Sequence, residues 1–302
     1  MSPIPRMISR CCNSRAVFLA AFIVTTLVYQ AEGYKHVVFM HGILAGPSEF
    51  DYFINLVQEY HPGTPTTVVN LYNYADSVVN IWEQVGNISE FLLPILTNKS
   101  SEGSILICFS QGGLICRGLL STIEHNVETF VSLSSPLAGQ YGDTDYLRRL
   151  FPNYLKKNIF KLFYSTSGQK FSVANYWNDP HEQELFRNFS TFLAVLNNQS
   201  TEGNPRSYEF RNNFLRLKNL VLVGGPDDGV ITPWQSSQFG MYNSSEVVLP
   251  MEEQEWYQND AFGLKTMNSC GSIYMKTVPG IPHLKWHSEQ LVFDSIIKPV
   301  LT

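Results

Sequence analysis

Charge is scarce in this chain: charged residues make up 16% of it, and no stretch gathers Lys and Arg into a block. With 21 basic against 26 acidic residues the formal net charge is -5. That balance argues against a nucleic-acid partner, whose phosphates demand clustered cations. Cysteine is equally sparse, five in 302 residues, too few for a scaffold built on disulfides. Neither a His-Glu-x-x-His motif nor paired cysteines at zinc spacing occur, so no metal site is expected. Gly224-Gly225-Pro226 lacks both the spacing and the Lys of a phosphate loop. Internal repeats and low-complexity tracts are missing too. What is present, 44% hydrophobic residues, suffices for the core of one large domain or two small ones.

Long apolar runs are also missing. Ala16 to Tyr29 falls short of the roughly 18 residues that a membrane span requires, and no later segment reads as transmembrane. Arg6, Arg10 and Arg15 precede that run and Gln30-Ala31-Glu32-Gly33 follows it. A basic region, a short apolar region and small residues, in that order, form a secretory signal peptide. Residues 1–33 are therefore expected to be removed, by cleavage before Tyr34 or after Ala31, leaving 34–302 without a membrane anchor. Asn-x-Ser sequons begin at Asn87, Asn98, Asn188, Asn198 and Asn243; in an exported chain they are candidate N-glycan sites on the surface. Loss of the signal peptide leaves Cys108, Cys116 and Cys270. A Cys108–Cys116 bridge would clamp a strand end to the following helix if the Cα atoms lie within about 7 Å; otherwise both are buried thiols. Cys270 is expected to be unpaired.

The chain then alternates. Strands are expected at His36–Met40, Thr66–Leu71, Ser104–Cys108, Thr129–Leu133, Leu217–Val223 and Ser272–Lys276, with helices at Phe50–Tyr60, Ile81–Leu96, Leu114–Ile123 and Leu291–Val300. Apolar strands interleaved with helices indicate a mostly parallel sheet covered on both faces. Residues 141 to about 215 break the alternation with helical stretches (Tyr146–Phe151, Ile159–Tyr164, Leu185–Leu196) and no core strand. This reads as a largely helical cap inserted in a single domain, 34–302. Its Phe189, Phe192, Leu193 and Leu196 are candidates either for an acyl channel or for the cap's own core.

Ile105-Leu106-Ile107-Cys108-Phe109-Ser110-Gln111-Gly112-Gly113-Leu114 carries the sharpest local signal. An apolar run stops at a serine, two glycines follow and a helical pattern begins, as in a nucleophile elbow, although Cys108 replaces the usual first glycine. A serine nucleophile needs a histidine base and a carboxylate to orient it. Reactive groups in open α/β sheets gather beyond the C-terminal strand ends. Ser110, then Asp227 or Asp228, then His283 follow successive strands in the order of an α/β-hydrolase. His283, in the loop directly after a strand, is better placed than His287. Of the adjacent acids only one can face it, and Gly229-Val230-Ile231-Thr232-Pro233 favours Asp228, leaving Asp227 to brace the turn. The amides of Gln111 and of Ile43, in His41-Gly42-Ile43, are the candidate oxyanion donors, with His41 bracing that loop.

With these residues in view, the chain resembles the palmitoyl-protein thioesterases, most nearly the family's second type. The likeness runs from His36 to Thr302. It is carried by Cys108-Phe109-Ser110-Gln111-Gly112-Gly113-Leu114, Leu133-Ser134-Ser135-Pro136, Gly139-Gln140-Tyr141-Gly142-Asp143-Thr144-Asp145-Tyr146-Leu147, Asn175-Tyr176-Trp177-Asn178-Asp179-Pro180-His181 and the stretch from Gly224 to Ser237. The family pattern has Cys at the first elbow position. The resemblance implies nucleophile, acid and base at Ser110, Asp228 and His283, and oxyanion amides at Ile43 and Gln111. It further implies a glycosylated lysosomal enzyme that needs no cofactor and hydrolyses fatty acyl thioesters. The second type is expected to prefer acyl-coenzyme A and other small thioesters over acylated proteins. The chain departs from that type in its cysteines. Phe163 and Ala174 stand at one pair of bridge positions, and Lys276 and Ile296 at or near another, so that only the Cys108–Cys116 bridge is retained. A monomer is expected, and secretion is the alternative to lysosomal residence. Two rival readings remain, a lipase or carboxylester hydrolase with the same triad and a non-catalytic lipid-binding protein.

Overall fold

Alternation of side chains across each strand builds two hydrophobic layers here, one on either side of a parallel sheet. The computed structural model describes residues 33–98 and 102–301; the expected signal peptide lies, apart from Gly33, outside the described residues. The strands are β1 (His36–Met40), β2 (Thr66–Val68), β3 (Ser104–Phe109), β4 (Val127–Leu133), β5 (Asn219–Gly224) and β8 (Ile273–Thr277), with a small hairpin, β6 (Met241–Tyr242) and β7 (Val248–Leu249), between the last two. The sheet order is β2-β1-β3-β4-β5-β8, and every neighbouring pair is parallel. Leu106 and Cys108 point to one face, with Val38, Phe130 and Leu222. Ile105, Ile107 and Phe109 point to the other, with Phe39, Val131 and Val223. Burial at every position of β3 is why it reads as an unbroken apolar run.

Helix α1 (Asp51–Tyr60) covers the second face with Phe53, Leu56 and Val57, and Phe53 meets Phe293 of the C-terminal segment at 5.7 Å between ring centroids. Helices α2 (Ile81–Leu96) and α3 (Gln111–Thr122) cover the first face. Asn80 caps α2 by accepting the Trp82 amide at 2.8 Å, satisfying one of the donors a helix start leaves open.

Five details differ from the sequence reading. β2 stops at Val68, because the chain beyond turns so that the Leu71 carbonyl meets His41 Nε2 at 3.1 Å. Helix α3 begins directly after Ser110 rather than at Leu114. Double-sided cover does not reach the edge strand β8, where Tyr274 and Met275 are exposed. The closing segment is not one α-helix: an α-turn at Gln290–Val292 passes into a π-turn at Phe293–Ile297 and a 3₁₀ turn at Lys298–Val300. Pro299 has no N–H to continue an α-helical ladder. Between β4 and β5 the helices are short pieces: Asp145–Leu150, Phe160–Phe163, Ser172–Asn175, Gln183–Phe189, Leu193–Leu196 and Ser207–Phe214. The stretch expected as one helix over Leu185–Leu196 breaks at Ser190, whose hydroxyl donates to the Asn175 carbonyl and accepts the Ala194 amide, both at 3.3 Å.

Candidate active site

The C-terminal ends of β1, β3, β4 and β5 and the loop after β8 converge on one serine. Ser110 ends β3 with φ 53° and ψ -127°, a left-handed φ that costs a residue with a Cβ free energy and persists only where the surroundings enforce it. Enforcement is visible on both sides. The Ser110 amide donates to the Leu133 carbonyl at 3.0 Å, and its own carbonyl accepts Gly113 N at 3.0 Å. Two glycines let α3 press against the strand ends. A Cβ at Gly112 would lie 2.4 Å from the His41 carbonyl oxygen, and one at Gly113 2.0 Å from Ser135 Oγ. Cys108 and Cys116 are disulfide-bonded, with Cα atoms 6.6 Å apart, tying the end of β3 to the first turns of α3. Cys270 is free and exposed.

Ser110 Oγ lies 2.9 Å from His283 Nε2, and His283 Nδ1 lies 2.8 Å from Asp228 Oδ2. All three side chains are buried. A carboxylate beside Nδ1 keeps the hydrogen on that nitrogen and leaves Nε2 free to accept from the serine. Asp227 points elsewhere, accepting the Gly280 amide at 2.7 Å and so bracing the loop that carries His283. Burial by itself would raise the Asp228 carboxyl. The bonds from His283, Ser134 and the Ile231 amide outweigh burial and hold it below the usual range. Oδ1 accepts the Val230 and Ile231 amides at 3.0 and 2.7 Å, while Oδ2 also accepts Ser134 Oγ at 2.5 Å and Trp286 Nε1 at 2.7 Å. Ser134 and Trp286 escaped the sequence reading. The one available clue was that Ser134 directly follows the last residue of β4.

Ile43 lines the cleft above Ser110, and Gly42 beside it touches the serine: a Cβ there would sit 3.2 Å from Ser110 Cβ. Ser77 links this loop to the elbow, since its hydroxyl accepts Leu44 N at 2.7 Å and its carbonyl accepts Gln111 Nε2 at 2.7 Å. His41 faces the Gly42 carbonyl through Nδ1 at 3.0 Å and the Leu71 carbonyl through Nε2. His287, the less favoured histidine, is also drawn into the site. Its Nδ1 donates to the Glu49 carbonyl at 2.7 Å and its ring packs on Phe109 at 5.1 Å. Glu49 Oε2 accepts the Gly42 amide at 3.2 Å. Burial pushes this carboxyl up to about 7 against the lowering effect of that amide.

The cleft encloses about 610 Å³ including its open mouth. Tyr146, Leu147, Leu150, Val173, Tyr176 and Trp177, all from the β4–β5 segment, form much of its wall. Phe189, Phe192, Leu193 and Leu196 do not. The last three are core residues, Phe192 packing on Trp82 at 4.7 Å, and Phe189 faces solvent. Phe163, at one departed cysteine position, is fully buried between Phe151 and Trp177 at 4.9 and 5.5 Å, so aromatic packing occupies that place. Asn87, Asn98, Asn188 and Asn198 are exposed, and Asn243 is half-buried at the hairpin turn, where its Oδ1 accepts the Ser245 and Val247 amides. Among the described residues no cluster of His, Cys, Asp or Glu is arranged to hold a metal, and no helix is long and apolar enough to cross a membrane.

The family model for palmitoyl protein thioesterase matches residues 36–283. A human relative named lysosomal thioesterase PPT2 is 46% identical over 286 residues, covering 94% of each chain. The rat protein of that name is 48% identical over 270 residues, 89% of this chain and 88% of its own. A Drosophila melanogaster relative, named lysosomal thioesterase PPT2 homolog, is 38% identical over 288 residues, 95% of this chain and 99% of that one. Six parallel strands, the serine at the β3–α3 turn and these matches over most of the chain agree on an α/β-hydrolase fold, and the chain belongs to the palmitoyl-protein thioesterase family.

Proposed function

We propose that this protein is a thioesterase that hydrolyses long-chain fatty acyl thioesters, acyl-coenzyme A or S-acyl small thiols, through an acyl-serine intermediate. The observation that carries the reading is the relay Ser110 Oγ–His283 Nε2–Asp228 Oδ2, at 2.9 and 2.8 Å, beneath an apolar cleft. In the first half-reaction His283 takes the Ser110 proton while the serine oxygen attacks the thioester carbonyl. The amides of Ile43 and Gln111 stabilise the oxyanion as the tetrahedral intermediate forms. Collapse breaks the carbon–sulfur bond, and the proton on His283 goes to the departing thiolate. In the second half-reaction His283 takes a proton from water, hydroxide adds to the acyl-serine carbonyl, and the proton returns to Ser110 as the fatty acid leaves. Asp228 holds the imidazole in the required tautomer and offsets its charge without itself taking a proton. No step calls for a cofactor.

In this reading residues 141–215 form a cap on a single 34–302 domain, and the cap sets which acyl groups fit. The relatives' names support residence in the lysosome; export through the expected signal peptide and N-glycans on the exposed sequons are part of the same proposal. Two measurements test the proposal. Fluorophosphonate labelling of the purified protein should modify Ser110, and no adduct would end the enzymatic reading. Matched acyl-thioester and acyl-oxyester substrates should favour the thioester; faster oxyester turnover would make the protein a carboxylester hydrolase instead.

A further inference from the structure

Resting on the serine-hydrolase reading, we propose that Glu49 is a positioning residue whose carboxyl holds a proton against His287 during turnover, so that ionisation of this pair on the alkaline side turns the enzyme down. The geometry sets the proton count. His287 Nδ1 faces the Glu49 carbonyl oxygen at 2.7 Å, and a carbonyl only accepts, so Nδ1 carries the hydrogen. In the neutral ring Nε2 is then a bare acceptor, and it faces Glu49 Oε1 at 3.7 Å. Bare nitrogen and carboxylate oxygen repel in so enclosed a place, where the two side chains are only 13% and 17% exposed. One proton between them removes the repulsion.

The other groups around Glu49 offer its anion little compensation. Oε2 accepts a single amide, from Gly42. Tyr146, from the Asp145–Leu150 helix, lines the same cleft and has its phenol raised by burial and by the Glu49 charge. His283 and Ser110 line the same cleft and form no bond with Glu49, and His41 is turned to two carbonyls. Among the described residues no Lys or Arg pairs with Glu49. Burial raises Glu49, and burial together with the neighbouring His283 and Lys285 charges lowers His287 against its bond to the Glu49 carbonyl, so the neutral pair, with the proton on Glu49, is favoured over the ion pair.

The consequence for catalysis follows from position. Gly42 immediately precedes Ile43, the proposed oxyanion donor, and both line the cleft with Glu49. With its proton in place, the carboxyl keeps Oε2 on Gly42 N and turns a neutral Oε1–H toward His287 Nε2, 3.7 Å away, so the loop is held without added charge. Once the proton leaves, a negative charge stands beside the site where the substrate oxygen itself becomes negative, and like charges in a low-dielectric cleft oppose each other.

The test uses the purified protein, an uncharged substrate such as S-decanoyl-N-acetylcysteamine, and the variants E49Q and E49A, with circular dichroism at each pH. Glutamine presents oxygen to Gly42 N and NH2 to His287 Nε2, copying the protonated pair with no proton to lose. Wild-type kcat should fall about tenfold or more between about pH 6 and about pH 8, and E49Q less than about threefold over that range. E49A should lose about tenfold or more in kcat at every pH, because Gly42 N loses its acceptor. An alkaline limb in E49Q superimposable on wild type overturns the inference alone. So does wild-type activity that stays level to about pH 8. A folded wild type with no turnover at any pH overturns the hydrolase reading and this inference with it.

Discussion

Ser134 Oγ donates to Asp228 Oδ2 at 2.5 Å, the same oxygen that accepts from His283 Nδ1. Burial raises the Asp228 carboxyl, and the partners that pull it below its usual range include this hydroxyl. A depressed carboxyl contributes stability that is fully present above the unfolded-state value, about 3.9 for Asp, and lost as pH falls through the lower folded value. Ser134→Ala removes one donor, so the folded value moves back toward the unfolded one: the carboxylate contributes less stability above it, and that contribution is fully lost at a higher pH. The variant should melt earlier than wild type in a series from about pH 5 down to about pH 3, and lose about tenfold in kcat at neutral pH as the His283 partner is less well held. Identical acid-melting curves would show that Ser134 contributes nothing to the ionised state.

The two adjacent acids should behave very differently. Asp228→Asn removes the charge beside His283 and lets the ring adopt the wrong tautomer, so kcat should fall by about a thousandfold or more. Asp227→Asn keeps an oxygen for the Gly280 amide, and its effect should stay within about threefold. Steady-state kinetics on the pair decides the assignment, and comparable losses would dissolve it.

Leu150 and Val173 line both the cleft over Ser110 and an adjoining apolar hollow that includes Val78, Phe151 and Phe171. Val173→Trp should narrow this passage. The expected result is a fall of about tenfold or more in kcat/KM for long acyl chains, with less than about threefold change for butyryl thioesters. Equal losses across a chain-length series would mean that the acyl group leaves the serine by another route.

The Cys108–Cys116 bridge closes a short loop around the elbow. Replacing both cysteines by alanine should lower the unfolding free energy by about 2–3 kcal/mol, read from denaturant titration. Activity should fall further than that loss of stability explains, because Ser110 lies within the closed loop at a strained φ.

Much of this arrangement was legible in the chain. β1, β3 and β5 are apolar runs that end in polar loops, and period and punctuation mark their ends without knowledge of neighbours. Ser110, Asp228 and His283 could be proposed because each follows such an end in one characteristic order. Residues that act through space left no comparable mark. Ser77 joins the Ile43 loop to the elbow, Trp286 bonds Asp228 across 58 positions, and Glu49 reads as an ordinary acid near a helix start. For the same reason Phe189, Phe192, Leu193 and Leu196 stayed open between an acyl channel and the cap's own core, since apolar periodicity shows that residues are buried but not what they face.

Local chemistry therefore carried the order of strands and helices, the elbow and the candidate triad side chains, because these depend on periods of two or about 3.6 residues and on turn residues close in the chain. Which side chains wall the cleft, the bonds of Ser134 and Trp286 to Asp228, and the facing of Glu49 with His287 came only from packing. Those relations join segments whose sequence separation is large, and a directional contact of about 3 Å depends on how the layers settle against one another.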